Sequence, residues 1–226
     1  MKNRKPKTPR VQPEAVVKAA IEILDAEGLE GVTLRRLAAK LGVKASTLYW
    51  YFKDKQDIVD DMAQAILTTD ELNDVTAPPD TADWANWLAD LAHSVRNALI
   101  AHREGGRVVA GASLFRAHTL AKIAILATQV LNEAGFDTFN ANLAVATVFN
   151  YVWGSVIEEQ AGTGTEHQHE HLPPDVQKAV LDKFGLKDTQ FINHVTVERS
   201  KHTETEEFDW GLQVIIRGLR ATLNKE

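Results

Sequence analysis

Residues 33–55, TLRRLAAKLGVKASTLYWYFKDK, constrain more strongly than any other stretch what this chain can fold into. Thr33 can cap a helix, and the leucines and alanines that follow it recur at the three- and four-residue spacing of one helical face. Gly42 then stands where a helix end favours a left-handed residue, and residues 45–52 predict a second short helix. Two short helices joined by a glycine turn form a helix-turn-helix, whose second helix lies in the major groove of DNA.

The side chains around the predicted second helix suit a nucleic acid partner. Arg35, Lys44 and Lys55 supply positive charge where phosphates would pass. Tyr49 and Trp50 offer a hydroxyl and an indole N–H on a helix too short to be built only for packing. The alternative is an ordinary helical hairpin whose aromatic side chains pack against neighbours. The spacing, the turn, the basic flanks and the hydroxyls agree with each other, and together they favour DNA binding.

The segments LAAKLGV and STLYWYFKDK, preceded by AEGLEGVTLRR, resemble the DNA-binding domain of the TetR family of bacterial transcriptional regulators. The LYW triplet resembles in particular the tetracycline-repressor branch of that family. The resemblance implies phosphate contacts by Thr33, Lys44, Thr47, Tyr49 and Lys55. It implies positions facing or near base edges for Arg35, Ala45, Ser46, Trp50 and Tyr51. Ala45 and Ser46 stand where that branch usually has Gln and Pro, so we expect a different operator sequence.

Composition narrows the class of protein. With 44% hydrophobic residues in 226, the chain can bury a real core, and the absence of cysteine excludes disulfides, thiolate metal sites and a cysteine nucleophile. The basic N-terminus lacks an apolar signal core, and no uninterrupted apolar run reaches the roughly 18 residues that span a bilayer. We therefore expect a cytoplasmic protein without a membrane anchor.

Charge is segregated along the chain. Residues 1–55 carry 12 Lys and Arg against 6 Asp and Glu, whereas the remaining residues carry 13 against 25. A basic head on an acidic body is typical of a nucleic-acid-binding unit attached to a regulatory one. We predict a flexible basic arm over 1–11, a helix-turn-helix domain over 12–55, and a ligand-binding and dimerisation domain over 56–226.

Helical patterns dominate the body, and strand patterns are absent. A connecting helix is predicted over 55–69 and a loop over 73–83. Further helices are predicted over 84–103, 114–134, 137–160, 173–184 and 206–224. Gly105 and Gly106 break the first of them, and a short piece is predicted around 108–113. The helix over 137–160 is apolar nearly all round, which indicates burial between helices or in a subunit contact. The predicted fold class is all-α.

The resemblance continues over the body in AHREGGRVVAG, GSVIEEQ, PPDVQKAV and LQVIIRGL. It implies a homodimer joined through a four-helix bundle, made by the 137–160 helix and the last helix of each subunit. Physics supports this independently, because one helix-turn-helix buries little surface and two half-sites one DNA turn apart multiply affinity. The partners we expect are therefore a palindromic double-stranded operator and a second copy of this chain.

Relatives of this branch bind a magnesium-chelated tetracycline. Alignment on AHREGG and GSVIEEQ shows which residues of this chain stand at the positions that bind the drug and the metal in those relatives. The positions of the main drug and metal ligands fall on Leu91, Val95, Val109, Ala112 and Ile125. A helper His becomes Asn150, and only a Glu is retained, as Glu158. Because buried polar groups decide which ligands a site accepts, we expect rejection of the chelate and preference for a more apolar effector.

The effector pocket predicted from this alignment has nine candidate residues. They are Val95, Val109, Ala112, Phe115, His118, Ile125, Asn150, Trp153 and Glu158. Plain core packing is the alternative for the apolar members. No cofactor besides the small-molecule effector is expected.

Two other functions compete with a ligand-responsive repressor. His167, His169 and His171 could face one way in an extended loop and bind Zn²⁺ or Ni²⁺, although a solvated polar loop is the preferred explanation. A small helical hydrolase using these histidines and Glu158 is disfavoured, since no nucleophile elbow, phosphate loop or HExxH motif is present. We therefore expect a regulator that is not an enzyme, a repressor released from its operator by a largely apolar molecule.

Overall fold

A computed structural model describes residues 11–164, 183, 197–198 and 201–223 of the chain. Its helices are α1 Pro13–Glu27, α2 Leu34–Lys40, α3 Ala45–Leu48, α4 Lys55–Ile66, α5 Asp70–Asn73, α6 Trp84–Ile100, α7 Gly105–Ala110, α8 His118–Glu133, α9 Thr138–Gly164 and α10 Glu204–Leu223. The 3₁₀ turns Leu29–Gly31 and Thr81–Asp83 join some of them. The described residues contain no strand, so the predicted all-α fold class is confirmed.

The helices of the head begin and end where local chemistry requires it. Pro13 opens α1, because its fixed φ suits a first helical turn, and Gly28 ends that helix at φ +80°. Thr33 Oγ1 accepts a hydrogen bond from Arg36 N at 3.3 Å and so caps α2 as predicted. Gly42, at φ +67°, makes the turn into α3. These ends place α1, α2 and α3 around one apolar centre.

The predicted second helix is shorter than expected. The helix α3 spans Ala45–Leu48, and the chain then turns with Tyr51 N and Phe52 N both donating to the Leu48 carbonyl. Leu48 and Phe52 are buried and anchor this turn in the core of the head. The prediction of a regular helix over 45–52 is therefore wrong, since the shared acceptor tightens the last turn.

The helix α4 carries the chain from the head into the body. Asp54 Oδ1 accepts from Asp57 N at 3.1 Å, and Asp57 Oδ2 accepts in return from Lys53 N at 2.6 Å. This reciprocal capping fixes the start of α4. Its buried face consists of Ile58, Val59, Met62, Ala63 and Ile66.

In the body, α9 packs against α10 through an apolar contact and against α6 through a polar one. Phe208 of α10 is buried against the Tyr151 ring, with ring centroids 5.4 Å apart. Arg96 of α6 is buried as well and pairs with Glu159 of α9 at 2.7 Å. Burial raises the pKa of the Tyr151 hydroxyl, which donates to the Phe208 carbonyl at 2.9 Å. These contacts hold α9 and α10 side by side.

One face of α9 and one of α10 keep large apolar side chains in solvent. Phe139 and Leu143 are exposed on α9, and Trp210 and Val214 are exposed on α10. The opposite faces supply core residues such as Val148 and Leu212. An apolar face left uncovered on two adjacent helices is typical of a subunit interface.

Several helix bounds differ from the sequence prediction. The first body helix ends at Ile100, and Gly105–Ala110 forms α7 of its own, because Glu104 adopts φ +54° and reverses the chain. A Cβ at Gly105 would clash with the Leu99 carbonyl, so this tight turn requires glycine. The helix predicted over 114–134 begins at His118 instead. The helix predicted over 173–184 and residues 1–10 of the arm lie outside the described part, apart from residue 183, which is helical.

Val11, the last residue of the predicted arm, has its side chain buried in the core. Among the described residues, no helix has the length and apolar character that crossing a membrane requires.

Candidate DNA-binding surface and effector site

The outer surface of α3 and the turn after it carries large side chains that do not pack in the core. Trp50 is 87% exposed, and Tyr49 and Tyr51 are exposed beside it. Leu48 and Phe52, one on each side of this trio, are fully buried. The aromatic rings are thus held outward by a rigid anchor, with their hydroxyls and indole N–H free for an external partner.

The other predicted DNA contacts fall into three groups. Lys44 and Ser46 are exposed at the start of α3, and Arg35 is exposed on α2. Ala45 and Thr47 are half-buried. The hydroxyl of Thr33 already accepts a backbone hydrogen bond as a helix cap. The exposed members of the set thus lie along the surface of α2, α3 and the turn after α3.

Lys55 stands apart from that surface. Its Nζ donates to the Leu29 carbonyl at 2.8 Å, and the residue is half-buried. The hydrogen bond joins the start of α4 to the turn between α1 and α2. A phosphate contact by Lys55 therefore stays a prediction that competes with an internal role.

Two ion pairs hold α2 against α1. Arg36 pairs with Glu27, and Lys40 Nζ lies 2.9 Å from Glu22 Oε2. The hydrogen bond from Lys40 lowers the pKa of the Glu22 carboxyl. All four side chains are largely exposed, so each pair contributes little stability. Their effect is to direct these two cations toward α1.

A series of polar contacts joins α4 to the segment between α7 and α8. Asp60, only 3% exposed, accepts from Ser113 N at 3.0 Å and from Gln56 Nε2 at 2.7 Å. Gln56 Nε2 also donates to the Gly111 carbonyl at 2.9 Å. A buried carboxylate with these donors fixes the position of α4 against the 111–113 backbone.

Arg116 and Gln64 extend this series along α4. The Nε and one terminal nitrogen of Arg116 donate to the two carboxylate oxygens of Asp61 at 3.0 and 2.9 Å, and the other donates to Asp57 at 3.0 Å. The contact with Asp61 raises the pKa of the Arg116 guanidinium. Gln64 and Thr119 exchange two hydrogen bonds of 2.9 Å.

We name these contacts the α4 ladder, formed by Gln56, Asp57, Asp60, Asp61 and Gln64 with Gly111, Ser113, Arg116 and Thr119. The sequence analysis missed it. A signal was present, because Gln56, Asp60 and Gln64 follow one another at four-residue spacing on a helix whose other face is apolar.

A second contact joins the head to the body at the turn between α6 and α7. Glu104 Oε1 accepts from Leu29 N at 3.0 Å. Asp25 Oδ1 accepts from Arg103 N at 3.1 Å, and its other oxygen lies 3.1 Å from His102 Nδ1. From the body side, Gln160 of α9 donates to the His102 carbonyl at 2.8 Å. This turn therefore touches the head and α9 at once.

The predicted effector residues lie in different environments. Val95 and Val109 are buried in the core, whereas Ala112 and Trp153 are half-buried. Solvent-exposed members are Phe115 at 93%, Ile125, His118, Asn150 and Glu158. The single described chain thus does not gather all nine around one cavity, and their role as a set stays a prediction.

A groove of about 530 Å³ lies beside Ile125 on α8. Its lining residues are Val75, Thr76, Ala77, Lys122, Ile125, Leu126 and Gln129. The Lys122 ammonium donates to the Asn73 carbonyl at 2.6 Å, a neutral partner that leaves its positive charge in place. The groove therefore combines apolar residues with one cation.

The histidines of the metal-sensing alternative, His167, His169 and His171, lie outside the described residues. In the part of the chain that is described, no three His, Cys, Asp or Glu side chains are grouped to hold a metal ion. The structure adds no support to metal sensing.

An exposed helix-turn-helix tied by polar contacts to a larger helical body defines a DNA-binding regulator with a separate sensing domain. Residues 16–62 match the family model described as bacterial regulatory proteins, tetR family, and residues 77–223 match the tetracyclin repressor-like C-terminal domain. The chain belongs to the tetR family, and it is a ligand-responsive transcriptional repressor that binds DNA. The family is one of regulators, which are generally not enzymes.

Two relatives and one solved structure align with two thirds or more of this chain. The class C tetracycline repressor of Escherichia coli is 38% identical over 67% of this chain and 68% of its own. The class E repressor of the same organism is 32% identical over 88% of this chain and 98% of its own. A possible TetR family transcriptional regulator from Streptomyces coelicolor superimposes with a TM-score of 0.76 at 33% identity, covering 93% of this chain and 100% of its own.

Proposed function

We propose that this chain is a cytoplasmic homodimeric repressor that leaves a palindromic operator when a small, largely apolar molecule binds its body. The observation that carries the proposal is the pairing of a rigid, exposed α3 surface with the α4 ladder. The first can bind DNA, and the second can transmit a change in the body to it. The proposed division is an arm over 1–11, a head over 12–55 and a body over 56–226.

The α3 surface supports operator binding through residues with no internal role. Ser46 projects from α3 and Tyr49 and Trp50 from the turn after it, both held by buried anchors, and Lys44 and Arg35 flank them with positive charge. Rigid polar side chains read base edges, while cations bind phosphates and set the register. The acidic body keeps DNA away from the rest of the molecule.

An apolar effector is favoured by the residues at the drug-binding positions. Both tetracycline repressors compared above are named for a drug, but Leu91, Val95 and Val109 have no side-chain donor or acceptor for a metal chelate. Transferring such a chelate from water to an apolar site is costly. An apolar molecule gives up no hydrogen bonds to water in that transfer, and removal of its apolar surface from water favours binding.

The α4 ladder supports the coupling of effector and operator. Ser113, Arg116 and Thr119 lie directly after Ala112, a predicted effector residue, and all three bond to α4. An effector that displaces this segment moves α4 with it, because the hydrogen bonds and ion pairs of the α4 ladder join the two. In a dimer, moving both copies of α4 changes the distance between the two α3 surfaces and lowers operator affinity.

Native mass spectrometry of the purified dimer, followed by operator release with any bound compound, tests the effector. The operator is first selected from random DNA and bound to the dimer, and release is followed by fluorescence anisotropy. A compound of apolar character that releases DNA supports the proposal. An effector that is a metal ion or a highly charged molecule contradicts it.

Tetracycline with magnesium is the sharpest negative test. We expect operator binding to stay unchanged up to about 100 µM drug, a range in which a low-micromolar ligand saturates. Substituting Val109→His and Ala112→Thr, which restores two polar ligands, serves as the matched variant. Release of the wild-type protein at low micromolar drug overturns the apolar effector.

A further inference from the structure

The exposed face of α10 has one large side chain and, further along the same face, a hole lined by small ones. Trp210 is 74% exposed, and Val214, one helical turn further on, is 48% exposed. Nothing lies within 4 Å of the position that a Cβ would take at Gly218. Val214, Arg217, Gly218 and Ala221 are all exposed and stand at positions i, i+3, i+4 and i+7. Four helical residues at this spacing form a hole that receives one side chain of a facing helix, and we name these four the α10 hole.

Two-fold symmetry determines which side chain meets the α10 hole. A homodimer with a two-fold axis brings the same surface of both copies together, so each residue on that surface has a defined counterpart. An axis that passes Val214 at right angles to α10 makes the two copies of this helix antiparallel. A residue four positions before Val214 then stands level with the residue four positions after it in the other copy. Trp210 is therefore placed over Gly218 of the other copy, which lies in the α10 hole.

The charges of α10 favour this antiparallel pairing. The first turn has three carboxylates, those of Glu204, Glu206 and Glu207. The last two turns have two guanidinium groups, those of Arg217 and Arg220. Antiparallel copies place the acidic start of each helix beside the basic end of the other, whereas parallel copies place like charges together, which is costly. The Arg217 guanidinium can also lie against the indole ring that enters the hole, as cations do on aromatic faces.

We infer that Trp210 of each copy fills the α10 hole of the other, with Val214 meeting its own counterpart on the two-fold axis. This inference rests on the homodimer of the proposed function and gives its interface a register. A tryptophan seated in a closely fitting pocket is typical of the few residues that supply most of the free energy of an interface. A helix with a large side chain at the position of Gly218 could not accept the indole, so the contact also selects a second copy of this chain over other helices.

Cysteine cross-linking tests the register, because the chain has no cysteine of its own. Val214→Cys should form a disulfide between the two copies under mild oxidation, since residues that face each other on the axis lie within the roughly 4–7 Å between Cα atoms that a disulfide spans. Ala221→Cys, exposed on the same helical face, is the matched control. Seven residues of about 1.5 Å each separate it from the axis, so its two copies lie about 21 Å apart and no disulfide forms.

Gly218→Leu tests the hole itself. Leucine favours a helix more than glycine does, so a weaker dimer cannot be attributed to a weaker α10. We expect the dimer dissociation constant from sedimentation velocity to rise by at least about tenfold, which is about 1.4 kcal/mol. Trp210→Ala removes the side chain that the leucine obstructs. The two substitutions together should therefore cost less than the sum of their separate costs.

Three outcomes overturn the inference. They are efficient cross-linking of Ala221→Cys, no cross-linking of Val214→Cys in a protein that sediments as a dimer, and an unchanged dissociation constant in Gly218→Leu. A wild-type chain that stays monomeric at every concentration contradicts the homodimer itself and with it the proposed function. Sedimentation of the wild type thus separates failure of the register from failure of the proposed function.

Discussion

At the scale of single residues, two lysines of the head differ in what their ammonium groups contact. Lys44 is exposed beside α3, whereas Lys55 Nζ is bonded to the Leu29 carbonyl. Sequence position alone gives both the same role, because both flank the predicted reading helix. The structure separates them, because the Lys55 ammonium is held by an internal hydrogen bond whereas Lys44 lies exposed.

Substitution of each lysine by methionine separates the two roles. Lys44→Met is expected to reduce the slope of log affinity against log salt by about 0.9, the value for one lost phosphate contact. Lys55→Met should leave that slope unchanged and lower the free energy of unfolding by about 1 kcal/mol, since the Leu29 carbonyl loses its donor. Salt-dependent anisotropy and urea unfolding measure the two effects. A reduced slope in Lys55→Met means that Lys55 contacts phosphate after all.

At the scale of elements, α4 owes its position to polar partners as well as to its apolar face. Asp60→Leu removes the acceptor of Ser113 N and is expected to cost about 1–3 kcal/mol of stability. Asp60→Asn keeps an acceptor oxygen and should cost less. Hydrogen exchange of the Ser113 amide is the specific readout, with faster exchange in Asp60→Leu. Unchanged protection of that amide means that the ladder does not hold the segment.

The start of α9 makes stability depend on pH. Asp137 Oδ1 accepts from Phe139 N and Asn140 N, and these hydrogen bonds, that from Asn140 first, lower its pKa below the ordinary 3.8. A carboxyl with a lowered pKa stabilises the fold above its unfolded-state pKa, and this contribution is lost as pH falls through the folded-state value. The melting temperature should therefore fall below about pH 4, and less steeply in Asp137→Ser, which caps without titrating. Parallel curves for both proteins contradict this assignment.

At the scale of the whole molecule, the unburied apolar faces of α9 and α10 imply a partner. Trp210 is 74% exposed on this surface, while nearby Phe208 is buried. Trp210→Asp is expected to raise the dimer dissociation constant by about 100-fold and to weaken operator binding in parallel. Ile125→Asp changes an exposed apolar residue on α8 in the same way and should leave the dimer intact. Sedimentation velocity decides, and a stable Trp210→Asp dimer excludes this surface as the interface.

Much of the architecture follows from local rules that the chain carries in its sequence. Pro13, Thr33, Gly28 and Gly42 start and stop helices through their own backbone preferences and caps, so the ends of α1, the start of α2 and the turn into α3 could be predicted locally. The all-α class followed likewise from three- and four-residue apolar spacing. Neither inference needs to know which helices meet.

Contacts between distant segments required the tertiary structure. Asp60 and Ser113 are 53 residues apart, and Asp57 and Arg116 are 59 apart, so no local pattern pairs them. The same holds for Lys55, whose partner is set by how the turn after α1 folds back. Propensity, capping and periodicity act within a few residues and therefore determine most of the helices and the all-α class. Which polar groups are buried together, and which side chains are left to bind ligands, depends on packing between helices, and only the folded chain decides it.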